Sequence, residues 1–278
     1  MGGCKRKFSK AGVRPNSSHT HSRSPLHVSF ELNEPEIARR LLCHGADIDY
    51  ASGRGWNVIH HLWHHTEKSR PEVNEEFYHL CSAVGFSAHD THDISGWTYL
   101  HRAAAYGTER DVEALIQLGA SVITYTSQNA WTPIHVAALK NNVGTLKALS
   151  NYVSLGTLHS PDAHGWTPLH MAVEREAEDT MRFLLKNGAN PHAQTNITAT
   201  WFPVGLEHQI LCPVDLSLNC GHLFFEKYVE ALKDAGWQVT TSLDGEDVYW
   251  DSQEYCVEDL PRYEKGSFDS SWNGNNMS

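Results

Sequence analysis

The chain has 278 residues, 40% of them apolar, with 22 Lys and Arg against 33 Asp and Glu and a net charge of −11. That is enough apolar material for a substantial core. No apolar run approaches the roughly 18 residues that span a membrane, and no apolar stretch follows the first basic residues as a secretory signal requires. An acidic chain is also a poor ligand for duplex nucleic acid, which rewards clustered Lys and Arg.

In chain order, residues 1–23 hold Lys5, Arg6, Lys7, Lys10, Arg14 and Arg23 and no acid. This stretch is rich in Ser, Pro and Gly and has no periodicity, so a disordered basic leader is expected. Its first residues, MGGCKRK, carry two competing readings: acylation at Gly2 and Cys4, and a nuclear-import signal. Arg6 stands where the acylation pattern asks for Ser or Thr.

From residue 24 a short phrase recurs. GWNVIH (55–60), GWTYLH (96–101), AWTPIH (130–135) and GWTPLH (165–170) are close copies, and SPLH (24–27) and CPVD (212–215) are looser ones. The helix-cap positions are Ser24, Asn57, Thr98, Thr132, Thr167 and Cys212, spaced by 33, 41, 34, 35 and 45 residues. Ser, Thr or Asn there can accept from an orphan N–H of the first helical turn, and Pro25, Pro133, Pro168 and Pro213 sit where a missing N–H is harmless. An apolar residue follows each time, and a small residue (Ser29, Ala103, Ala137, Ala172, Ser217) comes five places after the cap in every unit but the second, where Leu62 replaces it. Leu41, Leu115, Leu149 and Leu184 all fall 17 residues after a cap, and Gly45, Gly119 and Gly188 then close a second helix. Two independent marks in one register define a repeat of about 33 residues.

T-P-L-H-x-A at this period resembles the ankyrin repeat. The resemblance covers about residues 24–236, most strongly Thr132–His135, Thr167–His170 and the LLCHGADID stretch. It implies an all-α solenoid of about six helix pairs with β-hairpin loops between them. Insertions are expected near 65–76, which lengthens the second unit, and near 193–211, where Trp201, Phe202 and Pro203 either fold back or touch a partner. Alternation around Asp244-Gly245 predicts a terminal β-hairpin over 237–251. Residues 252–278 read as an acidic tail, either solvated or of the transcriptional-activation type.

Five of the 19 histidines (His27, His60, His101, His135, His170) occupy the repeat's own histidine position. In the ankyrin resemblance that imidazole ties the first helical turn to the neighbouring hairpin, which argues against catalysis. HHLWHH (60–65) is the sharper candidate, because helical spacing would pair His60 with His64 and His61 with His65 for a metal. It lacks the intervening Glu of H-E-x-x-H, and no nucleophile or phosphate-binding motif appears elsewhere. The six cysteines (Cys4, Cys43, Cys81, Cys212, Cys220, Cys256) contain no C-x-x-C pair, so neither a disulfide framework nor a zinc ribbon is expected. Trp56, Trp97, Trp131 and Trp166 each precede a cap and should stack as a ladder that either packs hairpins or anchors a partner.

The resemblance therefore implies a non-catalytic scaffold without cofactor or metal, meeting a protein partner through a concave face and hairpin tips. Its candidate contacts are Tyr50, Trp56, Trp97, Tyr99, Arg102, Tyr106, Tyr125, Trp131 and Trp166. An intracellular monomer, cytoplasmic or nuclear, without direct nucleic-acid contact or a membrane span, is expected. The chain is also similar to fungal ankyrin proteins, some of which are nuclear transcription coregulators, and that is the second functional reading. A metal-dependent enzyme using HHLWHH is the third.

Overall fold

The structure, a computed structural model, describes residues 16, 23–63, 71–89, 91–196, 209–237, 239–241 and 248–250. The chain divides into two compact units, Met1–Ser154 and Leu155–Ser278. The first contains α1 (Pro25–Glu31) and α2 (Pro35–Cys43), then a 3-10 helix (Val58–Trp63) and α3 (Pro71–Ala83). Two further pairs follow, α4 (Tyr99–Tyr106) with α5 (Glu109–Gln117) and α6 (Pro133–Leu139) with α7 (Val143–Ser150). The second unit opens with a single helical turn, α8 (Leu155–Leu158), which nothing in the repeat pattern announces. It continues with α9 (Pro168–Glu174), α10 (Glu178–Lys186), α11 (Pro213–Asn219) and α12 (His222–Asp234). Strands β1 (Val239–Thr241) and β2 (Val248–Trp250) then pair antiparallel, Val239 opposite Trp250 and Thr241 opposite Val248.

Each first helix is amphipathic at very short range. Leu26, Leu100, Ile134 and Leu169, the apolar residues two places after their caps, are all sealed from solvent. Ala103 and Ala104 of α4 and Ala137 and Ala138 of α6 are equally buried, and their lack of bulk lets these two helices lie close. The second helices end as their glycines dictate. Gly45, Gly119 and Gly188 have φ of +84°, +96° and +85°. Behind them Ala46, Ala120 and Ala189 donate their amides to the carbonyls of Leu41, Leu115 and Leu184, each at 3.0 Å. The leucine 17 residues after the cap is therefore the acceptor of a Schellman closure, and this explains why it keeps register with the glycine.

The second helix pair departs from the sequence expectation. Val58–Trp63 winds as a 3-10 helix with all six side chains buried, where α-helical spacing was expected. Leu62 and Trp63 stand where α4 and α6 place paired alanines, and the tighter winding accompanies that bulk. α3 begins at Pro71, inside the 65–76 stretch read as a connecting insertion. His64 and His65, the loop residues Trp201, Phe202 and Pro203, and the tail beyond Trp250 lie outside the described residues.

Between helix pairs the chain turns back through a short hairpin. Ser52, Asp93, Thr126 and Asp162 donate their amides to the carbonyls of Trp56, Trp97, Trp131 and Trp166 at 2.7–2.9 Å. The residue just before each tryptophan is left-handed: Gly55, Gly96 and Gly165, and Ala130 with φ +54°. At Gly165 (φ +82°) a Cβ would also lie 2.7 Å from the amide nitrogen of Asn196, whereas at Gly188 it would meet nothing within 4 Å. Gly188→Ala should cost only the left-handed penalty of about 1–2 kcal/mol. Gly165→Ala should cost that plus roughly 1–3 kcal/mol for the collision. Urea denaturation of the two variants checks this, and equal losses would show that the hairpin backbone yields.

Candidate functional site

The histidines are built into the capping of the first helices. His27, His101, His135 and His170 each turn Nδ1 back to the N–H of their own cap residue, Ser24, Thr98, Thr132 and Thr167, at 3.1–3.2 Å. The cap hydroxyl lies 2.8 Å from the same nitrogen. An N–H can only donate, so Nδ1 must accept. At the far edge of the ring, Nε2 meets a backbone carbonyl of the next hairpin: Trp56 for His27 (3.1 Å), Trp131 for His101 (2.8 Å), Leu211 for His170 (3.3 Å). A carbonyl can only accept, so Nε2 must donate. The partners dictate the neutral Nε2–H tautomer.

Charging these rings is correspondingly unfavourable. Burial lowers the pKa of His27, and lowers those of His101 and His170 to about 4, while the carbonyl contact at Nε2 pulls weakly the other way. His60 follows the rule at one end, accepting from the Asn57 amide at 3.2 Å, and burial again holds it neutral despite nearby Asp93. Its Nε2 closes no bond of ordinary length, although the Trp97 carbonyl still raises its pKa. In the last unit Asp215 takes the histidine position, accepting from the Cys212 amide at 2.7 Å. A carboxylate supplies the acceptor but has no second edge from which to donate.

The tryptophans lie over this layer. Trp56 stacks on His60, and Trp97 and Trp166 lie tilted against His101 and His170, with centroids 5.8–6.4 Å apart. Trp56, Trp131 and Trp166 are buried and Trp97 is half-buried. The Arg102 guanidinium lies over both Trp56 and Trp97, 4.9 and 5.0 Å from the two rings, and bonds Oδ2 of Asp93 at 2.5 Å. The other oxygen of Asp93 accepts from the amides of Ser95 and Trp97, and Asp162 does the same for His164 and Trp166. Indole, guanidinium, indole and carboxylate thus interlock inside the first unit.

Several candidate contact residues are therefore internal. Tyr99 is 3% exposed, and its hydroxyl bonds Asn57 and Thr91, so it belongs to the core and its placement on a contact face is corrected. Trp56, Trp131 and Trp166 offer little surface for the same reason. Arg102 is held on three sides. Tyr50 is half-buried against the His27 ring, whereas Tyr106 and Tyr125 are exposed, Tyr106 beneath Lys140 at 5.6 Å. The sequence reading also missed two positions. Asp93 aims both Trp97 and Arg102; the D-x-x-G-W phrase shared with Asp162 is its signal. Leu211 fills the tryptophan place before the last cap and receives His170, but its leucine side chain and the preceding insertion hid it.

Of the HHLWHH histidines, only His60 and His61 are among the described residues. Among the described residues no group of three His, Cys, Asp or Glu side chains is placed to hold an ion. His61 is buried between the His27 and Trp56 rings and lies 3.6 Å from Glu31, whose carboxylate already bonds Arg23. No helix among the described residues is long and apolar enough to cross a membrane.

Comparison with known proteins agrees with this architecture. The ankyrin repeat family matches residues 21–52, and the family of ankyrin repeats in three copies matches residues 100–195. The chain carries ankyrin repeats over these residues and folds as an all-α ankyrin solenoid. It is similar to the ankyrin repeat domain of Bcl-3, a member of the IkappaB protein family, with a TM-score of 0.60 at 17% identity over 81% of this chain and 89% of that one. It is 28% identical over 159 residues to the target of rapamycin complex 2 subunit AVO2 of Saccharomyces cerevisiae, covering 55% of this chain and 34% of the relative. It is 38% identical over 84 residues to calmodulin-binding transcription activator 3 of Arabidopsis thaliana, covering 27% of this chain and 8% of the relative. The chain thus spans about a third of the first relative and less than a tenth of the second.

Two outcomes follow from this geometry. A histidine whose pKa is depressed on folding binds fewer protons than in the unfolded chain, so its contribution is complete above about 6.5 and is lost as pH falls towards 4. Stability to urea should therefore drop between pH 6.5 and 4 by up to about 1.4 kcal/mol per pH unit for each such ring; a flat profile would contradict the fixed tautomer. Arg102→Ala should cost about 2–4 kcal/mol, from two lost cation–π contacts and an unpaired buried carboxylate. Adding Asp93→Asn to Arg102→Ala should recover part of that loss in the same denaturation assay.

Proposed function

We propose that the chain is a non-catalytic protein-binding scaffold that meets its partner with the hairpin tips and helix ends of the first unit. The observation that supports this reading is a division of labour. His27, His101 and His170 are buried, neutral and bonded at both ring nitrogens, whereas Ile94, Ile123, Tyr125 and Tyr106 stand exposed. Large apolar and aromatic side chains held on ordered backbone lose little entropy on binding and are the common anchors of interfaces. Ile94, 70% exposed at a hairpin tip, differs from its counterparts Gly53 and Ala163, as a selective surface requires.

Affinity capture from cells with the full chain, compared with an Ile123→Ala/Tyr125→Ala variant of unchanged circular dichroism, tests the reading. A partner retained by wild type should be recovered at least about tenfold less with the variant. Equal recovery would remove the hairpin surface from the proposal, and capture of nothing specific by wild type would sink the scaffold itself.

A second reading, a nuclear transcription coregulator acting through protein contacts, draws on the similarity to a transcription activator and on the basic residues Lys5, Arg6 and Lys7. On that reading, neutralising those three residues abolishes nuclear import, and residues 252–278 fused to a DNA-binding module activate a reporter.

A further inference from the structure

One short segment lacks bonds that its counterparts make. His27, His101 and His170 each donate from Nε2 to a carbonyl of the next hairpin. His60 is 2% exposed, yet its Nε2 has no hydrogen-bond partner among the described residues. Because its Nδ1 accepts from the Asn57 amide at 3.2 Å, the neutral ring carries its proton on Nε2, a buried donor without an acceptor. Three residues on, the indole N–H of Trp63 is buried and unbonded in the same way. The helix start differs too. Thr132 and Thr167 accept from the amides of His135 and His170, three residues on. Asn57 accepts from Ile59, two residues on, and gives its amide group to the Tyr99 hydroxyl.

These departures all favour opening. A donor left unmet in the closed segment regains hydrogen bonds in water once the segment opens. A 3-10 helix also makes poorer backbone bonds than the α-helices α4, α6 and α9, which hold the same place in their helix pairs. Side-chain packing is what holds Val58–Trp63. The segment lies against α1 and α4, and Val58, Ile59 and Leu62 are at most 2% exposed. Packing of this kind is shared among neighbours, so it is lost as a unit. We propose that Val58–Trp63 is a conformational joint: it opens as one cooperative piece while α4–α7 stay folded. Opening uncovers the faces of α1 and α4 that pack on it.

Native-state amide exchange of the full chain, followed by NMR in urea well below the unfolding midpoint, tests this. Protection factors over Val58–Trp63 should lie about tenfold or more below those of α4 and α6. Exchange of the segment should also accelerate with urea, because a cooperative opening exposes buried surface. Trp63→Phe deletes the unmet N–H and keeps an aromatic ring, so it should speed that exchange by less than about threefold. Loss of the same bulk around a bonded N–H would speed it about tenfold or more. Protection equal to that of α4 and α6 would overturn the proposal. So would fast exchange that ignores urea, which is fraying residue by residue, and so would a tenfold effect of Trp63→Phe. No binding partner enters the measurement, so its failure leaves the scaffold reading standing.

Discussion

Everything in this fold leans on a side chain that can accept at one edge and donate at the other. Neutral imidazole does this across about one ring width: Nδ1 completes the cap of its own helix, and Nε2 ties that helix to the hairpin some thirty residues on. A carboxylate manages only the first half, as Asp215 shows, and as Asp111 shows again at the start of α5, where it accepts from the Thr108 amide. A protonated ring would present an N–H to an N–H. The repeated histidine is thus architectural, and its fixed tautomer is what removes it from chemistry.

Tryptophan extends the same logic outward. Trp56, Trp97 and Trp166 lie against the histidine layer, and the first two are separated by Arg102, whose charge is answered by a buried carboxylate. An arginine held between two aromatic planes contributes both packing and electrostatics, which lysine, as a compact point charge, would not. Aromatic residues used this way stabilise the array, while side chains that vary from unit to unit, such as Ile94, Ile123 and Tyr125, stay exposed.

The legible part of the fold was its punctuation. Caps, N1 prolines, the leucine seventeen residues on and the closing glycines are local chemistry, and each satisfies a backbone group within a few residues of itself. The failures were places where a neighbour intervened. Val58–Trp63 has helical spacing yet winds as a 3-10 helix, with Leu62 and Trp63 where other units place small residues. Tyr99 was a candidate contact by its position in the repeat, but packing draws it inward to Asn57 and Thr91. Leu211 lost its tryptophan and was separated from its unit by an insertion, so only its carbonyl, receiving His170, reveals its place.

The amino-acid sequence by itself determined the repeat: its period, the ends of most helices, the apolar face of each and the role of the histidine as a helix-start residue. These depend on hydrogen bonds and burial patterns that close over three to seventeen residues. Only the tertiary structure decided which polar atom each histidine reaches at its far edge, that Arg102 is held between two tryptophans, and which aromatics remain on the surface. Those outcomes depend on backbone carbonyls and ring planes about thirty residues away, and no local pattern records where such distant groups will lie once the units have packed.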